Sequence, residues 1–143
     1  MVQKTSGYNI GIIEKDLFDD ILAKKPSDWT EEFAKYVYDT LSKNKVYVTN
    51  LGKCTQIDAR PLPDRVLKQY LELLYNEIDI VRPKKIIVCG NQVSSIFLNQ
   101  KICVKSVRKQ EFKVNIKDNE YSVYPVFYPI GNGMRNIDLA IED

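Results

Sequence analysis

Two segments of this chain end an apolar run in polar groups, VYVTNLGKC at residues 46–54 and VRPKKIIVCGN at residues 81–91. The first sets Asn50 just past its run. A side-chain amide offers both a donor and an acceptor, so it can read the edge of a planar ligand. The second delivers Gly90 and Asn91 to a helix start, where backbone N–H groups could hold a phosphate. Both runs read as buried strands whose ends converge on one place, and in open α/β sheets ligands bind at that carboxyl edge. Each residue also has a plainer use. Asn50 would cap the strand-to-loop turn, and Gly90 would permit tight packing.

The chain contains no histidine. That removes the usual general base near neutral pH and the commonest metal ligand, and with them serine–histidine and histidine–metal mechanisms. The three cysteines, Cys54, Cys89 and Cys103, are too widely spaced for a disulfide framework or a zinc knuckle and read as structural thiols. A net charge of +2, from 21 basic against 19 acidic residues, gives no nucleic-acid signal by itself. Local clustering must supply one. Lys101, Lys105, Arg108, Lys109, Lys113 and Lys117 form the densest basic stretch, which with Lys53, Arg60 and Arg65 would build either a phosphate-facing surface or an ordinary solvated face. Trp29 and the nine tyrosines are too scattered to define a stacking platform. No apolar run approaches a membrane span and no signal-peptide pattern opens the chain, so no membrane partner and a cytoplasmic location are the default expectation.

The elements that must position these residues follow from periodicity. At 143 residues and 44% hydrophobic composition the chain fits one soluble domain, 1–143. Ile10, Ile13, Leu17 and Ile21 stand at helical spacing. Asp28 with Glu31 resembles a capping box before a second helix, whose stripe is Phe33, Tyr36, Val37 and Leu41. Residues 46–50 read as a strand, followed by a long polar loop from 51 to 62. Pro63 and Asp64 open a third helix with Val66, Leu67, Tyr70, Leu71, Leu74, Ile78 and Val81 on one face. Residues 85–89 then make a short apolar strand, of the kind covered on both faces in a parallel sheet. Strand, helix, strand predicts a right-handed crossover. Val93, Ile96 and Phe97 face inward on a short helix after Gly90. Residues 112–116 and 121–127 form a hairpin with Asp118 and Asn119 in the turn. The turn-rich stretch YPIGNGMRN, 128–136, precedes a short terminal helix with Ile137, Ala140 and Ile141.

This layout and the wording of three segments resemble the uracil-DNA glycosylase superfamily, in particular its branch that carries an iron–sulfur cluster. There a strand ends in a phrase like ITNVVKC, a helix with a Tyr–Leu pair leads into LRPRVIVALG, and a later strand ends in a loop beginning HPS. The counterparts here are VTNLGKC, Tyr70 with Leu71 before VRPKKIIVCG, and FYPIGNG. The opening SGYNIGIIEKDLFDDIL resembles the Ser–Gly helix that follows the family's first motif. The resemblance covers nearly the whole chain.

It implies an α/β fold, a three-layer sandwich whose short, mainly parallel central sheet is flanked by helices. The implied activity is hydrolysis of the N-glycosidic bond of uracil or a damaged base, with uracil-containing or damaged DNA as partner. Asn50 and Tyr128 are implied as the catalytic groups, and Asn50, Gly90 and Asn91 as the base-binding ones. Lys53, Pro129, Gly131, Asn132, Gly133, Met134 and Arg135 are implied as DNA contacts, with Met134 an apolar wedge and Arg135 on a phosphate. The alternative for that stretch is a plain surface loop whose glycines satisfy positive φ angles.

The departures set further expectations. The chain starts after the family's Gly-rich first loop, so the residue that orients the attacking water has no counterpart, and the chain is a fragment, pairs its two strands directly, or fills the gap with another segment. Asp58 is the only acidic residue near the first motif pair. Tyr128 stands where the HPS-type loop has histidine. Of the four cluster cysteines only Cys54 has a counterpart and Leu67 stands at another's place, so no iron–sulfur cluster and no other cofactor is expected. Activity and oligomeric state stay open, with a catalytically silent DNA- or partner-binding domain and a nucleotide-binding module as the competing classes.

Overall fold

The computed structural model describes residues 29–54, 56–57, 60–128, 135–136 and 139. The expected helix over 9–23, the Asp28 cap, Asp58 and the terminal helix around Ile137, Ala140 and Ile141 lie outside the described residues. The chain divides into two units, 1–49 and 50–143.

In the first unit α1 spans Glu31–Lys43. Its cap is Thr30, whose hydroxyl accepts from the Phe33 amide at 3.2 Å. Glu31 and Glu32 in the first turn and Lys43 in the last complement the helix dipole. Val37 is buried, and Trp29 meets Phe33 edge to face with centroids 5.1 Å apart. Tyr36, expected in the buried stripe, is instead about half exposed. The larger correction concerns residues 46–50, which form no strand: Tyr47 is 56% and Val48 71% exposed. Alternation of apolar residues gives a segment the capacity for a strand, but a ladder needs a neighbour, and none pairs with it among the described residues. The crossover expected between this strand and the next is therefore not formed.

The second unit begins with the loop after Asn50 and continues through α2 (Asp64–Gln69) and α3 (Leu71–Val81). The single helix expected here is broken at Tyr70, whose amide bonds to Leu67 O at 3.0 Å. That tighter bond closes α2 as a 3₁₀-like turn. Arg82 in the left-handed region, φ 48, ends α3 and returns its amide to Ile78 O at 2.7 Å. Next come β1 (Lys85–Cys89), α4 (Asn91–Phe97), α5 (Val104–Val107), β2 (Phe112–Ile116) and β3 (Asn119–Val126).

The fold is α/β, and among the described residues the sheet has three strands in the order β1-β3-β2. β1 pairs parallel with β3, Ile86 opposite Val123 and Val88 opposite Pro125. β2 adds an antiparallel edge, so the sheet is mixed. The hairpin loop is Lys117 and Asp118, one residue earlier than the expected Asp118 and Asn119, because Ile116 pairs with Asn119. Ile86, Val88, Tyr121, Val123 and Ile116 form one sheet face with Leu74 and Ile78 of α3 and Ile96 and Phe97 of α4. Burying a side chain such as Phe97, 2% exposed, contributes about 1.5–3 kcal/mol.

The opposite face carries Ile87, 66% exposed, and a polar network on β2 and β3. There Ser122 Oγ donates to Glu111 at 2.6 Å, and Lys113 Nζ lies 2.6 Å from the same carboxylate. These bonds, the Lys113 one largest, hold Glu111 at about 2 against an ordinary 4.5. Because the folded value is lowered, the network's contribution is present above about 4.5 and disappears as pH falls toward 2. Both side chains are exposed, so solvent screening keeps that contribution small. A carbon-detected NMR titration of Glu111 is expected to give a midpoint near 2, rising toward 4.5 in Lys113→Met. A wild-type midpoint at 4.5 would mean that the network does not hold in solution.

Candidate functional site

The parallel pairing of β1 and β3 sets both carboxyl ends at one sheet edge. Past β1, Gly90 adopts φ 86 and ψ 159, a region essentially reserved for glycine. Its amide continues the ladder to Val126 O at 2.8 Å. Past β3 the chain runs through Phe127 to Tyr128, and a Cβ placed on Gly90 would sit 3.2 Å from Tyr128 Cβ. Glycine is thus required twice, by its backbone and by the approach of Tyr128. Two of the sequence-expected site residues are brought into contact by this arrangement.

Asn50 stands at the start of the same unit, exposed, immediately before the buried Leu51. Leu51 belongs to the core that includes Val88 of β1. Gly52 packs where a Cβ would meet Leu62 Cδ1 at 2.7 Å and Leu67 Cδ2 at 2.9 Å. Leu62 is tied in turn to α4, since Gln92 Nε2 donates to Leu62 O at 2.9 Å and to Asp64 Oδ1 at 2.8 Å. The loop carrying Asn50 is therefore anchored to the helix that Gly90 opens. The Asn50 amide makes no hydrogen bond among the described residues.

Other expected residues are already engaged. Asn91 Oδ1 accepts from the Val104 amide at 2.8 Å, bracing the start of α5 against α4. Lys53 pairs with Glu77 at 2.8 Å, both side chains about three-quarters buried. Within the basic stretch, Lys117 reaches Asn76 at 2.7 Å and Asp79 at 3.3 Å, and Lys113 is held by Glu111. Charges spent in this way leave less for a phosphate surface than the sequence suggests. Arg135 is exposed. Pro129, Gly131, Asn132, Gly133 and Met134 lie outside the described residues.

Sequence reasoning missed three connections. Tyr70, counted as part of an apolar face, has its phenol pKa raised, first by its interaction with Cys54 and then by burial. Gln92 ties α4 to the loop, and Arg108 engages both Phe127 and Leu139. No local pattern announces such partners, since each joins residues distant in the chain. A shallow groove of about 420 Å³ lies between α2 and the far end of α4, lined by Asp64, Lys68, Ser95, Asn99 and Lys101. None of the described residues among the expected site residues lines it.

The cluster of the iron–sulfur branch does not fit the described residues. Leu67, at the place of one cysteine ligand, is 6% exposed in the apolar core. Cys89 lies in β1, where burial raises its thiol pKa. Among the described residues no three His, Cys, Asp or Glu side chains gather to hold a metal ion. No described helix is long and apolar enough to cross a membrane.

The strand ends, the Gly90 turn into α4 and the segment after β3 all fall inside residues 11–134, which match the family model described as the uracil DNA glycosylase superfamily. With most of its length matched and an α/β fold to accord, the chain belongs to the uracil DNA glycosylase superfamily.

Proposed function

We propose that this protein binds uracil-containing or damaged DNA and hydrolyses the N-glycosidic bond of an extruded base. The observation that carries the reading is the contact of Gly90 with Tyr128 at the carboxyl edge of β1 and β3, with a loop of the same unit, anchored to α4 through Leu62, that carries an exposed Asn50. A glycosylase must take the base from the stack, recognise its edge and stabilise a cationic sugar while water attacks. In this reading the Asn50 amide pairs with the acceptor and donor on the edge of uracil. Tyr128, 52% exposed, donates a hydrogen bond to the base or to the attacking water. Gly90 keeps the floor of the site low, and the Asn91 NH₂ is the group that would donate, since its oxygen serves Val104. Arg135, with Pro129, Gly131, Asn132, Gly133 and Met134, is assigned to the duplex, and Lys53 serves it only by exchanging Glu77 for a phosphate. The two units act as one domain, as their shared family match supports. A cytoplasmic location and the absence of any required cofactor belong to the same reading.

A second reading, a DNA-binding domain without catalysis, is favoured by one observation: residues 46–50 stand outside the sheet, so no ladder holds Asn50. Labelled single- and double-stranded DNA carrying one uracil separates the two. Strand breakage at the uracil after alkali is expected from the wild-type chain. Retained, salt-sensitive binding without breakage would leave the non-catalytic reading, and absence of both would end each of them.

A further inference from the structure

The groove between α2 and the end of α4 is lined by Lys68 on one wall and by Asn99, Gln100 and Lys101 on the other. None of these four side chains makes a hydrogen bond or ion pair among the described residues. Lys53, Lys113 and Lys117, by contrast, are each spent on an acidic neighbour. The walls are fixed to each other. Gln92 of α4 donates to Asp64 of α2 at 2.8 Å, and Leu67 of α2 shares one apolar core with Ile96 of α4. The far lip is fixed as well, because α4 stops where Asn99 takes φ 50. The Asn99 amide returns to Ile96 O at 3.3 Å and the Gln100 amide to Ser95 O at 3.1 Å. Ser95 Oγ accepts from the Ile102 amide at 2.9 Å and so holds the residue after Lys101. These bonds occupy two carbonyls at the helix end whose partial charge would otherwise oppose an anion.

We infer that this groove is a second binding site, for a phosphate-bearing ligand. Ammonium groups offer donors and no acceptor, and the two side-chain amides add NH₂ donors, a set that suits phosphate oxygens. The volume, about 420 Å³, falls within the range of about 300–1,000 Å³ common to small-ligand sites. Asp64 is the one acidic residue in the lining, and its carboxylate already serves Gln92. It disfavours a ligand that is anionic along its whole length, so the chemistry that fits is one phosphate, from a free mononucleotide or from the backbone of a strand. The groove contains neither Asn50, Gly90 nor Tyr128, and the inference does not rest on the proposed function.

The test follows the amide NMR shifts of Asn99, Gln100 and Lys101 in the full chain, with Gly90 reporting on the other site. Inorganic phosphate, deoxyuridine, deoxyuridine monophosphate and a short oligothymidylate are titrated separately at low salt. Phosphate and the monophosphate are expected to move the three shifts saturably at millimolar levels, and deoxyuridine to leave them in place. Tighter binding of the oligothymidylate than of the monophosphate assigns the groove to a strand, and the reverse order to a free nucleotide. Lys68→Gln and Lys101→Gln should each weaken binding about two- to fivefold, the scale of an exposed ion pair. Asp64→Asn keeps an acceptor for Gln92 and should strengthen binding by a similar factor. Lys84→Gln, exposed and outside the groove, should change nothing. Absence of a saturable shift with every phosphate probe would overturn the site, as would shifts at Gly90 alone. Equal weakening by Lys84→Gln would overturn it too, since the binding would then be to diffuse surface charge. A chain that excises no uracil leaves each of these results intact.

Discussion

Replacing Asn50 with alanine is expected to lower uracil excision by about 100- to 1,000-fold, the scale seen when one preorganised polar contact to a reacting group is removed. The size follows from the chemistry of recognition. An amide that pairs with both an acceptor and a donor of the base leaves two unmet polar groups in the pocket when it is cut back. Stability should hardly move, within about 0.5 kcal/mol, because the side chain is exposed and bonds to nothing among the described residues. The kinetic split carries the interpretation. A fall in kcat and kcat/KM together assigns Asn50 to the transition state, whereas a rise in KM alone assigns it to holding the base. If excision persists and the melting temperature drops instead, Asn50 caps its turn and the recognition role is lost.

Such a result bears on how far the sequence could be read. The hairpin at 112–126 is legible because apolar runs between turn formers need only a period of two and a neighbour close in sequence, and the strand at 85–89 because it is a short continuous apolar run, although its partner β3 lies far along the chain. The Gly90 helix start was legible for the same local reason, and the buried Ile96 and Phe97 agree with it. Residues 46–50 have the same local quality and yet form no strand, since pairing depends on a partner that the segment itself does not encode. Tyr70 counts by pattern as apolar filling, but it stands at the break between α2 and α3, where Cys54 raises its phenol pKa. Lys53, Lys113 and Lys117 show the matching error with charge. A run of basic residues gives the charge, not the acidic side chain that the fold sets beside it. The candidate site divides along the same line. Asn50 and Gly90 could be picked from residue type, whereas the contact between Gly90 and Tyr128 arises from the parallel register of β1 and β3.

That contact supplies the second large effect. Gly90→Ala is expected to destabilise the protein by about 1–3 kcal/mol, because φ 86 with ψ 159 is a conformation that L residues other than glycine rarely hold. The corresponding fall in melting temperature is roughly 3–12 °C. Strain is only part of the consequence. The new Cβ would stand 3.2 Å from Tyr128 Cβ, and both carbons are fixed to backbone, so neither can swing away as the end of a long side chain would. Tyr128 must move. Excision or DNA affinity should therefore fall further than the loss of folded protein explains, even at a temperature where the variant is fully folded. Tyr128→Phe leaves the Cβ in place and removes only the hydroxyl, so combined with Gly90→Ala it should not relieve the contact. Tyr128→Gly removes the opposing carbon, and in a double-mutant cycle it should recover the contact's share while the backbone strain remains. Additive effects in that cycle would show that the two residues do not meet in solution, and an unperturbed melting temperature in Gly90→Ala would show that Gly90 does not hold this backbone conformation.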